Sequence, residues 1–570
     1  MKKNNITNQK SFYFQDYNHQ FIDEIKNSKF AINQDRIYLL FFIFFCLIFI
    51  FAAKIFFISL KDLDSKNYVK NYNFFKPLRN DILDRNGDPI ARNILVYHAA
   101  IKPNLINDKK KFILKLKLLY PDLNFKVIKN SLKKNKYFYL KRNITQEERN
   151  KLWSLGEKGL LFERTQTRIY PQKNLFSHVI GQIDSDNNGI SGAEKYFDKN
   201  LKKVDNEPLY LSLDTNLQYL IREELLQSIS DFKAKGAASV LMDVGTGEIL
   251  SLISLPDYNL NIRQDIKDRN FTNKITKGVF ELGSIFKTFT IALAMENNLF
   301  SPNTVIKNIP DEIKCSKYTI SEHDKLPQNL NTEQILIRSS NIGAVRIAQK
   351  LGIEKYKNFL NSLELLNTIN FDLEEVGTPI LFKWGKCKLA TTSYGHGITT
   401  TPLQLAKAYA ILGNGGYKIQ PSILKKNIKS LEKREQIISE KTSNEINLML
   451  RKVVSLDEGT ANFADIEGYE VAGKTGTALK YNSKLKLNTF VSLFPASRPK
   501  YVLLVMLDEP KPAPNYVYEF PPSEKFPNGY KYKGETRNTS GWNTVVIAGK
   551  IIEKIGPILA INNLEASNNF

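Results

Sequence analysis

The 570-residue chain has three cysteines, Cys46, Cys315 and Cys387, and five histidines. No two cysteines stand in a C-x-x-C spacing and no H-E-x-x-H string occurs, so neither a zinc centre nor metal-assisted hydrolysis has ligands at a recognisable spacing. No metal and no cofactor are expected. Three cysteines make no disulfide framework either. Cys315 and Cys387 have the option of pairing in an oxidising compartment, but two buried free thiols are the expectation. Acidic residues are short too, with 58 Asp and Glu against 81 Lys and Arg, a net charge of +23. Such an excess suits nucleic acid or an anionic membrane surface. Here it is scattered as lysines through an Asn-rich chain, which marks compositional bias, and no nucleic-acid partner is expected. Its densest run, Lys109 to Arg142, sets twelve basic residues against Asp122 as its one acid. The interleaved Leu, Ile, Phe and Tyr make this run amphipathic helices with a solvated face.

Long apolar runs are scarce as well, and the single one present is informative. Residues 1–36 are polar and mixed in charge, a disordered tail. Ile37 to Leu60 then gives 24 nearly uninterrupted apolar positions, about 36 Å of helix and enough to span a bilayer. Lys54 lies near one end and can snorkel. A cleaved signal peptide needs a shorter apolar core and an A-x-A site, so an uncleaved anchor that holds the chain in the membrane is expected. The flanking charges do not orient it: Lys26, Lys29 and Arg36 precede it, whereas Lys61, Lys66, Lys70, Lys76 and Arg79 follow.

The length calls for at least two domains. Asn86-Gly87 signals a tight turn between extended runs. Arg168-Ile169-Tyr170-Pro171, Ser177 to Gly181 and Gly189 to Glu194 are dense in turn residues and isolated charges, the texture of a closely fitted junction. From Gly236 the pattern is a hairpin: Ala237 to Asp243, a Gly245-Thr246-Gly247 turn, then Ile249 to Leu255. Helical signals follow Ser284 and cover Thr332 to Leu351. Phe490 to Phe494 and Tyr501 to Asp508 have strand length, and Val545 to Ile561 closes as a helix.

Chemistry concentrates in Phe280 to Thr290. Gly283 supplies a permissive backbone before a helix, and Ser284 and Lys287 share one helical face. A serine hydroxyl is a weak nucleophile until a base removes its proton, and a lysine serves only if it is neutral. Spacing alone proves little. S-x-x-K recurs at Ser131/Lys134, Ser230/Lys233, Ser422/Lys425, Ser430/Lys433, Ser483/Lys486 and Ser497/Lys500. What singles out Ser284 is the ordered set that follows, Ser339-x-Asn341 and then Lys474-Thr475-Gly476.

With these three motifs the chain resembles the class B penicillin-binding proteins, membrane-anchored D,D-transpeptidases of peptidoglycan, from the anchor to about Pro557. Arg79 to Ala91, Arg168 to Pro171, Gly189 to Glu194, Leu211 to Asp214, Tyr394 to Gly397 and Thr401 to Gln404 look like further boxes of that family. Two residues depart from its pattern: Asn80 stands where a glycine is usual, and Leu282 where a proline is.

The resemblance implies an α/β (α+β) fold with these parts: a tail (1–36), a transmembrane anchor (37–60), an elongated non-catalytic pedestal of the dimerisation type (61–230), and a transpeptidase domain (231–561) in which helices surround an antiparallel sheet. A polar tail (562–570) ends the chain. It further implies that Ser284 attacks the penultimate D-alanine carbonyl of a stem pentapeptide, and that Lys287 takes the serine proton. Ser339 relays a proton to the leaving amine, and Asn341 holds Lys287 and the substrate amide. Lys474, Thr475, Gly476 and Thr477 receive the terminal carboxylate, with the N–H groups of Ser284 and Thr477 as oxyanion hole. β-Lactams are the implied inhibitors. The wall lies outside the cytoplasmic membrane, which puts the catalytic part in the periplasm of a single-pass inner-membrane protein. A β-lactamase would need neither anchor nor pedestal, and a β-lactam sensor would carry several spans. An elongation-type transpeptidase, a D,D-carboxypeptidase and an inactive division scaffold are the remaining alternatives. The box from Ser393 to Gln404 looks more like the septal branch, whose implied partners are a lipid II-polymerising membrane protein and other division proteins. His396, between two glycines, is expected to be structural.

Overall fold

The computed structural model describes residues 34–60, 78–203, 207–262, 268, 271–316, 318–380, 382–426, 434–480, 483–520 and 527–568. Residues 1–33 of the expected tail, 61–77 of the expected pedestal and the Ser430/Lys433 pair lie outside them. The chain divides into two compact units, residues 1–76 and 77–570.

The first unit contributes helix α1 (Gln34–Leu60) of 27 residues, about 40 Å long. Its stretch Tyr38–Phe56 has a mean hydropathy of 2.8 with no part buried. Phe41, Phe44 and Phe49 are exposed around the helix. A helix apolar on every side and unburied needs lipid as its solvent. Among the described residues it is the one helix long and apolar enough to cross a membrane.

The second unit opens with strands β1 (Ile82–Leu83), β2 (Pro89–Ile101), β3 (Phe138–Ile144), β4 (Leu160–Ile169) and β5 (Leu209–Tyr210). The Asn86-Gly87 turn joins β1 to β2 in antiparallel register, Ile82 opposite Ala91. The Asp84 carboxylate holds the turn, accepting from Asn86 N and Asp88 N at 2.8 and 2.9 Å. The lysine-rich run forms helices α2 (Lys109–Leu119) and α3 (Phe125–Lys133). Phe112, Leu116, Ile128 and Leu132 point into a small separate core, and the lysines face outward.

Three sequence boxes meet at one buried ion cluster. Arg79 and Glu194, both fully buried, pair at 2.9 Å, and Arg168 reaches the same carboxylate at 2.8 Å. Arg79 also meets Asp198 at 2.6 Å, and Arg168 donates to the Asn80 carbonyl at 2.9 Å. Removing one partner of such a cluster leaves an uncompensated buried charge, a loss of about 3–5 kcal/mol. The junction is thus fixed by charge matching as much as by turns.

Helix α4 (Thr215–Asp231), capped by the Asp214 carboxylate, leads into the hairpin β6 (Gly236–Asp243) and β7 (Ile249–Leu255). After helix α5 (Lys287–Glu296) come a small hairpin, β8 (Glu312–Cys315) with β9 (Tyr318–Ser321), and helices α6 (Asn341–Leu351), α7 (Lys386–Thr392), α8 (Pro402–Gly413) and α9 (Glu440–Ser455). Strands β10 (Ala472–Leu479), β11 (Lys486–Phe494) and β12 (Tyr501–Asp508) complete an antiparallel sheet of order β10-β11-β12-β6-β7. Strand β12 is buried at every position, as is β7, so both sheet faces are covered. Helix α4 and the terminal helix α10 (Thr544–Asn568) pack together on one face, and α8 packs on the other. Each fully buried Val or Leu here contributes roughly 1.5–3 kcal/mol. The terminal helix runs to Asn568, past the expected end at Ile561, so residues 562–568 are helical rather than a tail.

The cysteines correct one expectation. Cys315 and Cys387 are not free thiols but a disulfide, their Cα atoms 5.5 Å apart where the end of β8 meets the first turn of α7. The bond closes a span of 72 residues, worth about 4 kcal/mol by loop-closure entropy. Replacing both cysteines by serine is expected to lower the thermal midpoint of the detergent-solubilised chain by about 4 °C. Reductant should do the same to the parent and leave the double variant unmoved.

Candidate active site

Ser284 sits in a single 3-10 turn, Gly283–Phe286, that feeds straight into α5. The turn lies against β10 at backbone distance. Gly283 has φ +65°, and a Cβ there would stand 2.8 Å from the Thr477 carbonyl oxygen; one on Gly476 would stand 2.2 Å from that of Leu282. Both positions therefore need glycine, one for its conformation and both for the close approach. Leu282 is buried with φ −109°, outside the range of a proline ring, so the departure from the family pattern is a different local turn filled by an apolar side chain.

Lys287, one turn on, is fully buried. Its ammonium donates to the Ser339 hydroxyl at 3.0 Å and to the Ser339 carbonyl. Lys474, also fully buried, reaches the same hydroxyl at 3.0 Å from β10. Ser339 is presented to both by a left-handed turn, φ +59°, a conformation costing a non-glycine residue about 1–2 kcal/mol. Burial, and then the neighbouring Lys474, hold the Lys287 ammonium well below the usual lysine range, with Glu322 opposing. Burial pushes Lys474 down to about 7. Two buried amines thus share one hydroxyl, and the cheapest state discharges at least one of them.

The groove over these groups holds about 600 Å³ and is lined by Ser284, Ser339, Thr475, Thr477, Phe463 and Trp542, among others. Strand β10 is the edge of its sheet, so N–H groups on its outer side face the groove unpaired by a neighbouring strand. Ser284, Ser339, Thr475 and Thr477 are brought together as the sequence suggests, Lys287 and Lys474 converge beneath them, and Gly476 packs on the serine turn. Asn341 differs in detail, since its side-chain amide donates to the Ser321 carbonyl at 2.8 Å. No hydrogen bond from Asn341 to Lys287 is found among the described residues.

Sequence reasoning missed several groups here. Thr460 Oγ1 bonds Thr475 Oγ1 at 2.9 Å, Ser540 N donates to Thr477 Oγ1 at 3.0 Å, and the Arg537 guanidinium lies 4.4 Å over the Trp542 ring. Nothing in Thr539-Ser540-Gly541-Trp542 announces that it flanks a strand 60 residues earlier in a groove. His396 is absent from the groove lining. It pairs with Glu281 at 3.1 Å and stacks beside Tyr394.

A nucleophile turn at a helix start, two buried lysines on one serine and an exposed strand edge define an active-serine acyl-transfer site. Comparison with known sequences agrees: the penicillin-binding protein transpeptidase domain matches residues 237–522, and the penicillin-binding protein dimerisation domain matches residues 75–207. The chain belongs to the penicillin-binding protein transpeptidase family, as a class B, FtsI-like member and a serine-type D-Ala-D-Ala transpeptidase. It is 30% identical to the probable peptidoglycan D,D-transpeptidase FtsI of Caulobacter vibrioides over 500 residues, covering 85% of this chain and 82% of that one. To the peptidoglycan D,D-transpeptidase FtsI of Escherichia coli K12 it is 28% identical, over 77% of this chain and 80% of that one. Its fold is similar to that of penicillin-binding protein 3 from Mycobacterium tuberculosis complexed with aztreonam, with a TM-score of 0.62 at 23% identity, covering 86% of this chain and 97% of that one.

Proposed function

We propose that this chain cross-links peptidoglycan stem peptides at the division septum through an acyl-enzyme on Ser284. The observation that carries the reading is the convergence of Lys287 and Lys474 on the Ser339 hydroxyl, 3.0 Å each, beneath a groove that also holds Ser284. Neutral Lys287 takes the Ser284 proton as Oγ adds to the penultimate D-alanine carbonyl, and the N–H groups of Ser284 and Thr477 hold the oxyanion. Collapse breaks the peptide bond. The leaving amine receives its proton through Ser339, and D-alanine departs, leaving an ester on Ser284. An acceptor amine from a second stem peptide then adds to the ester carbonyl and restores the serine. Lys474, Thr475, Gly476 and Thr477 hold the donor's terminal carboxylate, and its arrival would return the charge that burial removes from Lys474. Asn341, two residues after Ser339 at the start of α6, holds the substrate amide.

The catalytic part works outside the cytoplasmic membrane, with α1 as anchor, residues 1–36 inside and 61–230 as the pedestal below a transpeptidase domain of residues 231–561. The Cys315–Cys387 disulfide supports that side, since such bonds persist in oxidising compartments. The anchor and pedestal contact a lipid II-polymerising membrane protein and other division proteins, and β-lactams acylate the same serine. Depletion of the chain in its own cell is expected to give elongated, undivided cells with septal wall synthesis arrested. Rounded cells that still divide would assign it to elongation instead.

A further inference from the structure

The left-handed turn at Ser339 is anchored on one side by Lys287, and its other side is held by a residue outside all three motifs. Glu322 follows directly on β9, and its carboxylate accepts three hydrogen bonds from consecutive residues of the next motif. Oε1 accepts from Ser340 Oγ at 2.6 Å and from Ile342 N at 2.9 Å, and Oε2 accepts from Asn341 N at 2.7 Å. The preceding residue completes the clasp, because the Ser321 carbonyl takes the Asn341 side-chain amide at 2.8 Å. Ser340 in turn caps α6 by accepting from Gly343 N at 2.9 Å.

A carboxylate at a helix N-terminus is in general an ordinary stabilising contact. This one does more than cap. Its three donors are the residue between Ser339 and Asn341, Asn341 itself and the one after, so the orientation of both functional side chains is set relative to a strap arriving from β9. The strap has its own tether, since Cys315 on β8, paired in register with Tyr318 of β9, is bonded to Cys387 on α7. Glu322 also lines the groove and bears electrostatically on Lys287. The charged groups facing Lys287 are Lys474 from β10, which drives its proton off, and Glu322 from the strap, which retains it.

We infer that Glu322 is a positioning residue of the transpeptidase reaction, clasping the Ser339–Asn341 turn in its reactive geometry with a carboxylate that also faces Lys287. The inference rests on the Ser284 acyl-enzyme reading. It is tested with the full chain in detergent, measuring the rate of acylation by a fluorescent penicillin across pH 5 to 9, roughly the range in which perturbed lysines titrate. Glu322→Gln keeps one oxygen acceptor but neither the second nor the charge. Its acylation is expected to be about tenfold slower near neutrality, with the acid limb of the pH profile at lower pH, because Lys287 without its counter-charge deprotonates earlier. Glu322→Asp retains the charge and pulls it back by one methylene; its rate is expected to fall between, with the acid limb much nearer the parent's. A Gln variant within twofold of the parent overturns the inference, as does a slowed one with its acid limb unmoved, which is the signature of a merely structural cap. A parent chain that fails to label on Ser284 overturns the underlying reading as well, so the two failures are told apart by the parent alone.

Discussion

Incubated with a penicillin, the full-length chain is expected to gain one acyl group on Ser284, found by intact mass and peptide mapping, and Ser284→Ala is expected to gain none. The strained lactam presents the same carbonyl geometry as the stem peptide, so the groups that prepare the serine for one prepare it for the other. Loss of an activated nucleophile removes the covalent route altogether, with an expected fall in acylation rate of at least about 10³-fold. The other S-x-x-K strings explain why one serine alone should react. Lys134, Lys233, Lys425 and Lys500 are exposed, and Lys486, partly buried, donates to the Asn538 carbonyl at 2.9 Å. None of them has the full burial that drives the proton off an amine. Lys287 is fully buried beside a second buried lysine, the environment in which an amine is neutral without cost to anything else. An adduct on another residue, or an alanine variant that labels like the parent, would remove Ser284 from the mechanism.

That contrast also shows what is legible in such a sequence. Residue types that chemistry cannot do without are readable: a serine and a lysine one turn apart, a second lysine on a strand, and glycines where a turn and a strand touch. The anchor is readable for the same reason, since a bilayer imposes a length and an apolar surface on all sides. Geometry that depends on distant chain segments is not. The Cys315–Cys387 pair is separated by 72 residues, and no spacing rule connects β8 to α7. Glu322 looks like any of the chain's other acids until β9 delivers it to the start of α6. Asn341 carries the right amide for its motif, but whether that amide meets Lys287 or the Ser321 carbonyl is decided by where the strap runs. The terminal helix outlasts its apolar pattern because the apolar residues up to Leu559 that it packs on the sheet already hold its axis, and each further residue then adds a backbone hydrogen bond without a new nucleation cost.

The two lysines are expected to fail differently when each is replaced by arginine. Arginine cannot give up its proton in a protein, so Lys287→Arg should abolish acylation at every pH tested, in effect matching Ser284→Ala. Lys474→Arg keeps a cation for the substrate carboxylate and should retain measurable acylation, reduced because the larger guanidinium must enter a fully buried site. The pH profile separates the roles further. In the parent, burial brings Lys474 to about 7, so the charge beside Lys287 fades as pH rises through neutrality. An arginine there stays charged and keeps repelling the proton on Lys287, whose ammonium is already held well below the usual lysine range by burial and by Lys474. Where Lys474 is itself charged the two cations repel that proton alike, so the acid limb of acylation in Lys474→Arg is expected to lie near the parent's, even though its plateau falls. Stopped-flow quenching with a chromogenic cephalosporin from pH 5 to 9, roughly the window of such shifted lysines, would follow both features in one series. Equal and complete loss in the two variants would contradict the division of labour between a neutral base and a charged anchor. A Lys287→Arg chain that still acylates would take the base role away from Lys287 itself.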